Sequence, residues 1–205
     1  MSVADYVYGA NMAKNDNAVN IETTSERYHH GDLRAALIDE GLKRLSEGRT
    51  EDLSLRELAR NVGVSATAVY RHFPDKAALL AALAAVGDER LADAFAAAMA
   101  KARPGRDAFN AMGRAYVRFA LANPSLFRMM MSPESGKAHL KCSRGGQMLA
   151  DGIQEMAGGK LDKAEADVRG LRAWAIVHGL ALLMLDGLAP HDEALIDRVI
   201  DAEAI

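Results

Sequence analysis

The segment from residue 65 to residue 72 places hydroxyl, guanidinium and imidazole groups close together. These groups belong to Ser65, Thr67, Tyr70, Arg71 and His72. Side chains of these types donate hydrogen bonds to phosphate oxygens and to base edges, and a bidentate arginine suits guanine. Ala66 and its small neighbours keep the start of the segment slim, so that its backbone can approach a base edge. The pattern favours non-covalent contact with a nucleic acid.

Two short amphipathic helices are predicted to position these side chains. Ser54 and Glu57 form a capping box for the first helix, which Gly63 ends. Ser65 caps the second helix, which is predicted to run to about Phe73 with Val69 and Phe73 facing inward. Neither helix can bury a full core face alone, so both must pack on a third helix, predicted over residues 31–47. This is the helix-turn-helix arrangement, whose second helix fits the major groove of DNA.

Each polar position in this module has an expected role. Arg71 suits phosphate or guanine, and Thr67 suits a base edge or a thymine methyl group. Tyr70 and His72 suit phosphate oxygens. Ser54 and Lys76 stand at helix starts, where free backbone amides and the positive end of the helix dipole attract phosphate. Glycine-broken helix pairs also occur in helical proteins that never bind DNA, so spacing alone leaves a structural role open.

The stretch SLRELARNVGVSATAVYRHFPDKAALLAAL closely resembles the N-terminal DNA-binding domain of TetR-type transcriptional regulators. The matching residues are Ser54, Leu58, Ala59, Gly63, Val64, Ser65, Val69, Tyr70, Phe73, Lys76 and Leu79. YHHGDLRAAL at 28–37 is similar to the family's first helix, so the resemblance covers about 28–83. It implies that residues 65–72 form the recognition helix. It also implies that Ser54, Tyr70 and Lys76 hold the phosphate backbone.

The remainder of the chain is predicted to be helical as well, and no strand signal is present. Helices are expected over 75–101, 107–122, 138–157 and 163–187 and from about residue 192, with a break at Pro124. The fold class is therefore all-α, with a helix-turn-helix domain followed by a multi-helix bundle that binds a ligand and forms a dimer. The expected domains are a polar, mobile extension at 1–27, the DNA-binding domain at 28–76 and the bundle at 77–205.

A small-molecule effector is expected to bind in the bundle. WAIVHG, from Trp174 to Gly179, resembles the Trp-x-x-x-His-Gly signature of one subgroup of TetR-type C-terminal domains, and NPSLFRMMM is similar to a helix break of that subgroup. The candidate ligand contacts are aromatic, methionine and histidine side chains. They are Met112, Tyr116, Phe119, Met130, Met148, Trp174 and His178. A methionine stripe of this kind is more often part of an ordinary core. Trp174 and His178 are also compatible with a tryptophan packed over a hydrogen-bonded histidine, beside a glycine that lets another helix come close.

Composition limits the other classes of function. The net charge is −3, and the segment from Arg27 to Lys76 has nine basic against eight acidic residues, so any DNA contact depends on a local patch. The single cysteine, Cys142, excludes an intrachain disulfide and fits a reducing compartment. No secretory signal is recognisable, and no uninterrupted apolar stretch suggests a membrane span. No catalytic motif, metal-ligand spacing or cofactor motif is present, so no enzyme activity, metal or cofactor is expected.

These observations together predict a cytoplasmic, ligand-responsive repressor that binds a palindromic operator in double-stranded DNA as a homodimer. The helices at about 163–187 and 191–204 are expected to pack against their copies as a four-helix interface. Two other classes of protein are alternatives to a DNA-binding regulator. A helical interaction protein would have lost DNA affinity, and a helical enzyme would need a catalytic constellation that the sequence lacks.

Overall fold

The structure, a computed structural model, describes residues 33–48, 53–132 and 143–202, and within these ranges it contains helices and no strand. The all-α prediction is confirmed. The described helices are α1 Leu33–Ser46, α2 Leu55–Val62, α3 Ala66–Tyr70, α4 Lys76–Met99, α5 Arg106–Ala122, α6 Pro124–Met130, α7 Arg144–Met156, α8 Lys163–Leu185 and α9 Glu193–Asp201. The extension predicted at 1–27 and the start of the helix predicted at 138 lie outside the described residues.

The turn between α2 and α3 forms as local hydrogen bonding dictates. The Ser54 hydroxyl accepts the amide of Glu57 at 3.1 Å and caps α2. Gly63 has a left-handed φ of 74°, and the amide of Val64 donates to the Ala59 carbonyl at 2.9 Å. This is the Schellman arrangement that ends a helix. The Glu57 carboxylate pairs with Arg60, so its predicted return contact to Ser54 is replaced by a surface ion pair.

The recognition segment differs in length from its prediction. Helix α3 ends at Tyr70 instead of continuing to about Phe73. The amides of His72 and Phe73 both donate to the Val69 carbonyl, at 2.9 and 3.0 Å, so the chain closes in a single tight turn. Pro74 prevents the helix from resuming after this turn, because the residue before a proline is driven away from the helical conformation.

A shared apolar core holds α1, α2 and α3 against the first half of α4. Its least exposed members are large aliphatic and aromatic side chains, each at most 2% exposed. They are Leu37, Leu45, Leu58, Val69, Phe73, Leu79 and Leu83. α1 and α4 approach closely at Gly41, where an added Cβ would lie 2.9 Å from Leu83. The Arg34 guanidinium covers the Phe73 ring at 5.3 Å from its centroid.

The second half of α4 belongs to the C-terminal bundle. α4 packs along α5, and α5 packs in turn on α8, while α6 contacts both α1 and α4. α9 is fixed to α5 by charge pairs, including Arg118 with Glu193 at 2.8 Å. α4 therefore contributes buried residues both to the α1–α3 core and to the bundle.

Helix α8 is packed on one side only. It contacts α5, α7 and α9 of its own chain, yet few of its residues are fully buried. Among the described residues, α8 alone is long and apolar enough to pass for a membrane span by length and composition, and 17% of its apolar window is buried. Its packing against three neighbours identifies it as a bundle helix whose outer face is uncovered in a single chain.

Substituting Gly63 tests the α2–α3 turn. Gly63→Ala should lower the free energy of unfolding by about 1–2 kcal/mol, because a side chain disfavours the left-handed conformation. Gly170→Ala is the matched control, since Gly170 lies inside α8 and an added Cβ meets nothing within 4 Å there. The control should raise stability by up to about 1 kcal/mol. Urea unfolding at one fixed protein concentration measures the free energy of unfolding of both variants. A lower free energy of unfolding in both would contradict the role given to Gly63.

Candidate nucleic-acid interface and ligand cavity

The outer side of α3 and the following turn forms a polar surface, which we call the recognition surface. Thr67, Tyr70, Arg71 and His72 are all exposed, whereas Val69 is fully buried. The side chain of Tyr70 is a large ring that keeps 45% of its surface exposed. Inward packing of Val69 and Phe73 thus turns the four polar side chains outward together. Ser65 and Ala66 are exposed at the start of the same surface.

The two capping serines remain able to bind a phosphate. The Ser65 hydroxyl accepts the Ala68 amide at 3.2 Å, as the Ser54 hydroxyl accepts its own amide partner. A hydroxyl that accepts still has a proton to donate. Ser54 is half-buried, while Ser65 is exposed, so Ser65 is the more accessible donor.

Lys76 is the first residue of α4, which follows the recognition surface along the chain. Its side chain is exposed. Asp75 caps the same helix by accepting the Ala78 amide at 2.8 Å. This carboxylate already occupies part of the helix start, so an approaching phosphate would meet the ammonium group of Lys76 more readily than the amides of α4.

A cavity of about 1120 Å³ lies between α4, α5, α7, α8 and α9. Its inner wall is formed mainly by apolar and aromatic side chains. They include Leu91, Phe95, Phe109, Met112, Tyr116, Leu149, Ile153, Trp174 and Val177. It opens along the first half of α8, where the bordering residues Val168 and Leu171 are about three-fifths exposed, at 62% and 61%. An enclosed apolar space with a few polar groups is the usual form of a small-molecule site.

Three of the seven predicted ligand contacts line this cavity, namely Met112, Tyr116 and Trp174. The other four lie elsewhere. Phe119 and Met130 are 8% and 7% exposed in the core, and Met130 packs so tightly on Gly87 that no Cβ fits there. Met148 is half-buried against the core, and His178 lies behind Tyr116 without reaching the cavity wall.

Tyr116, Trp174 and His178 form one hydrogen-bonded group. The indole N–H of Trp174 donates to the Tyr116 hydroxyl oxygen at 3.1 Å, and that hydroxyl lies 3.0 Å from Nδ1 of His178. The indole can only donate, so the Tyr116 oxygen accepts from it, and the direction of the hydrogen bond between Tyr116 and Nδ1 is set by the tautomer of His178. The tryptophan and histidine rings lie 5.3 Å apart. The structure therefore contains the packed tryptophan and hydrogen-bonded histidine that the spacing allowed.

Burial governs the acid–base behaviour of this group. Desolvation raises the pKa of Tyr116 far above its usual range. The hydrogen bond from Trp174 lowers this pKa, and the negative charge of Asp88 raises it by a smaller amount. Desolvation lowers the pKa of His178. Both side chains are consequently held neutral near physiological pH.

Gly179 does not have the expected role of letting another helix of the same chain come close. An added Cβ at Gly179 meets nothing within 4 Å among the described residues. Its small size therefore does not serve a close approach by another described helix of the same chain. Gly179 instead lies on the uncovered face of α8.

Sequence reasoning missed Asp88, which lines the cavity and is 8% exposed. A signal was present in the sequence. Ala84, Asp88, Leu91 and Phe95 follow one another at helical spacing, so the carboxylate occupies a position on α4 that otherwise holds core residues. Phe95 and Phe109 were also missed as cavity residues, since their inward positions depend on how five helices converge.

Comparison with known proteins agrees with this architecture. Residues 37–83 match the family described as "Bacterial regulatory proteins, tetR family", and residues 109–203 match "Tetracyclin repressor-like, C-terminal domain". An uncharacterized HTH-type transcriptional regulator of Mycobacterium tuberculosis, MT0489, is 27% identical over 179 residues, which cover 83% of this chain and 76% of that protein.

Solved structures with the same fold are also known. A protein of unknown function from Rhodococcus sp. RHA1 has 34% identity and a TM-score of 0.68, with 85% of this chain and 93% of that chain covered. The multidrug binding protein EbrR, solved in complex with imidazole, has 19% identity and a TM-score of 0.55, with 83% of this chain and 96% of that chain covered.

The chain belongs to the TetR family of bacterial regulators. It is accordingly a DNA-binding transcriptional regulator and not an enzyme. The Trp-x-x-x-His-Gly subgroup stays a prediction.

The pKa of His178 predicts how stability depends on pH. The unfolded chain titrates this histidine near its ordinary pKa of about 6.5, whereas the folded pKa is lower. As the pH falls through about 6.5, the unfolded state takes up the proton first, so the free energy of unfolding declines until the folded pKa is passed. His178→Gln should make the decline between pH 7.5 and 5.5 shallower in urea unfolding. His72→Gln, at an exposed histidine, is the control, and an equal flattening by both would contradict the assignment.

Proposed function

We propose that the protein is a ligand-responsive transcriptional repressor of the cytoplasm that binds a palindromic operator as a homodimer. The observation that carries the proposal is the recognition surface. Its polar side chains are exposed on α3 and on the turn that follows it, and Val69 and Phe73 fasten this segment to the core. A surface of this kind fits the major groove of B-DNA, which is about 12 Å wide and admits a single α-helix.

The contacts on DNA divide into positioning and reading. Ser54, Tyr70 and Lys76 are assigned to the phosphate backbone, because they flank α3 and offer hydroxyl and ammonium donors. His72 is assigned to phosphate as well. Arg71 and Thr67, with Ser65 and Ala66 at the helix start, are assigned to base edges. Reading by so few residues gives a short half-site, so two copies are needed for a specific operator.

The uncovered face of α8 supplies the contact between copies. Its residues at helical spacing are mostly apolar, and the largest are substantially exposed. They are Val168 at 62%, Leu171 at 61%, Ile176 at 44% and Leu183 at 46%. An apolar stripe of this length on a water-facing helix is typical of a protein interface. Gly179 lies in the stripe and allows the partner helix to come close. A second copy would also narrow the opening of the cavity, since Val168 and Leu171 border it.

The long helix α4 is proposed to couple ligand to DNA. It lines the cavity through Asp88, Leu91 and Phe95 and carries Lys76 at its other end. A ligand that shifts α4 changes the separation of the two recognition surfaces, which must match successive major grooves about 34 Å apart. A coupling free energy of about 1–3 kcal/mol would change operator affinity about 5- to 150-fold.

Replacing recognition-surface residues separates the two kinds of DNA contact. Tyr70→Ala should weaken binding to every duplex alike, because a phosphate contact carries no sequence information. Arg71→Ala should cost about 1–3 kcal/mol and relax the preference at one base pair if the guanidinium reads guanine. Arg103→Ala is the matched control, because the Arg103 side chain is 92% exposed and lies outside the DNA-binding helices. Fluorescence anisotropy with duplexes selected from a random pool measures all three variants. A Tyr70 effect confined to one base pair, or an unchanged affinity for Arg71→Ala, would contradict the assignment.

Placing a charge in the apolar stripe tests the dimer. Leu183→Glu should convert the dimer to monomers, since a buried unpaired carboxylate at the interface is costly. Ala97→Glu adds the same group at an exposed position of α4 and should leave the dimer intact. Sedimentation velocity over a range of concentrations distinguishes the species. A Leu183→Glu protein that stays dimeric would place the interface elsewhere.

A further inference from the structure

We propose that Arg34 of α1 is a further contact to the phosphate backbone of DNA, beside the recognition surface. This inference rests on the proposed function and adds one residue to the set that holds the backbone. The Phe73 ring would keep the guanidinium in position, and the guanidinium would donate to a phosphate that flanks the base pairs contacted by α3. Each copy in the dimer would make this contact once.

The stacking of Arg34 on Phe73 is the first support. The guanidinium carbon lies 5.3 Å from the centroid of the ring, which is the distance of a cation–π contact. Phe73 directly follows His72, the last residue of the recognition surface, and is 1% exposed. The contact therefore places a positive charge of α1 against the turn that ends the recognition surface.

The direction of α1 relative to α4 is the second support. The two helices approach closely at Gly41 and Leu83, and Arg34 and Lys76 each lie seven positions before that contact on their own helix. Seven helical residues span about 10.5 Å, so the two basic residues stand at a similar level. The contact of Arg34 with Phe73 agrees with this direction, because Phe73 lies just before α4 begins. Arg34 thus lies at the same end of the domain as Lys76, which is assigned to phosphate.

The guanidinium of Arg34 has donors to offer to a phosphate. The residue is exposed, and the positions three and four residues after it are the buried, apolar Leu37 and Ile38. No carboxylate of the next helical turn therefore neutralises its charge. A guanidinium that covers a ring with its face has its five N–H donors in its own plane, where two of them match the oxygens of a phosphate. Stacking also limits the rotamers of the side chain before DNA binds, which lowers the entropy cost of ordering it.

The low net charge of the DNA-binding segment makes single basic residues important. The segment from Arg27 to Lys76 has nine basic against eight acidic residues, so affinity for a polyanion depends on cations that share one face. Arg34 would join Arg71 and Lys76 in such a patch, while the carboxylate of Asp75 is engaged in capping α4. Each phosphate contact releases counterions from DNA, so each should contribute to the salt dependence of binding.

The salt dependence of DNA affinity tests the proposal in the full-length protein. Arg34→Met removes the charge and keeps an unbranched apolar chain over Phe73. The slope of log affinity against log salt should become shallower by about 1.8, because each phosphate contact contributes about 0.9 and the dimer has two copies of Arg34. The unmodified protein's advantage over the variant should therefore shrink about 12-fold between about 50 and 200 mM salt. Fluorescence anisotropy with a selected duplex and a random duplex measures the effect, which should be alike for both because phosphate contacts carry no sequence information.

Two further variants separate a DNA contact from a structural role. Arg34→Lys keeps the positive charge and should retain most of the slope. Lys43→Met makes the same loss of charge on the same helix, at an exposed residue on the opposite side of α1 and about 13.5 Å further along its axis. It should leave the slope unchanged. Circular dichroism melting shows whether each variant is folded.

An affinity that Arg34→Met lowers by the same factor at every salt concentration would overturn the inference, because Arg34 would then only hold Phe73 in place. An unchanged affinity, an equally shallow slope in Arg34→Lys, or an equal change in Lys43→Met would overturn it as well. In each of these cases, binding of the selected duplex by the unmodified protein leaves the regulator proposal standing. If the unmodified protein binds no selected duplex, the proposed function itself fails.

Discussion

The long helix α4 packs on α1 with its first half and on the bundle with its second half, and the rest of the structure depends on that sharing. Leu79 and Leu83 are completely buried in the first half of α4, beside α1, while Leu91 and Phe95 line the cavity in its second half. The helix is continuous over 24 residues, about 36 Å. In the proposed coupling, a displacement at the cavity would move the DNA-binding end, because packed interiors resist compression and such a helix would not absorb it. A ligand-responsive regulator needs this transmission between its two ends, and a single rigid helix would provide it without intermediate contacts.

The single chain is incomplete at two surfaces of opposite character. The recognition surface is polar and exposes Tyr70 and Arg71, although nothing in the described chain requires these side chains there. The outer face of α8 is apolar and exposes Leu171 and Leu183. The first surface fits a polyanion and the second fits another apolar helix. A symmetric pair of chains would satisfy both, because it covers α8 and presents two recognition surfaces to one duplex.

Sequence analysis predicted most of the DNA-binding domain because its signals are local. Ser54, Gly63 and Ser65 act on the residues next to them, and the structure contains the cap and turn that each indicates. The end of α3 was predicted about three residues too late, because the tight turn closed on the Val69 carbonyl ends the helix before Pro74 is reached. The cavity was only partly predictable, since five helices must converge before Met112 faces an open space and Phe119 a packed one. Asp88 was not predicted, because its burial depends on the helices that pack against α4.

Hydroxyl-radical footprinting on a duplex selected from a random pool tests the central claim most directly. A dimer that presents two recognition surfaces should protect two half-sites on one face of the DNA, about 10–10.5 base pairs apart from centre to centre, or about 34–36 Å. The two protected segments should be related by two-fold symmetry in sequence. A single protected half-site, or a pool in which no sequence is enriched, would contradict the account.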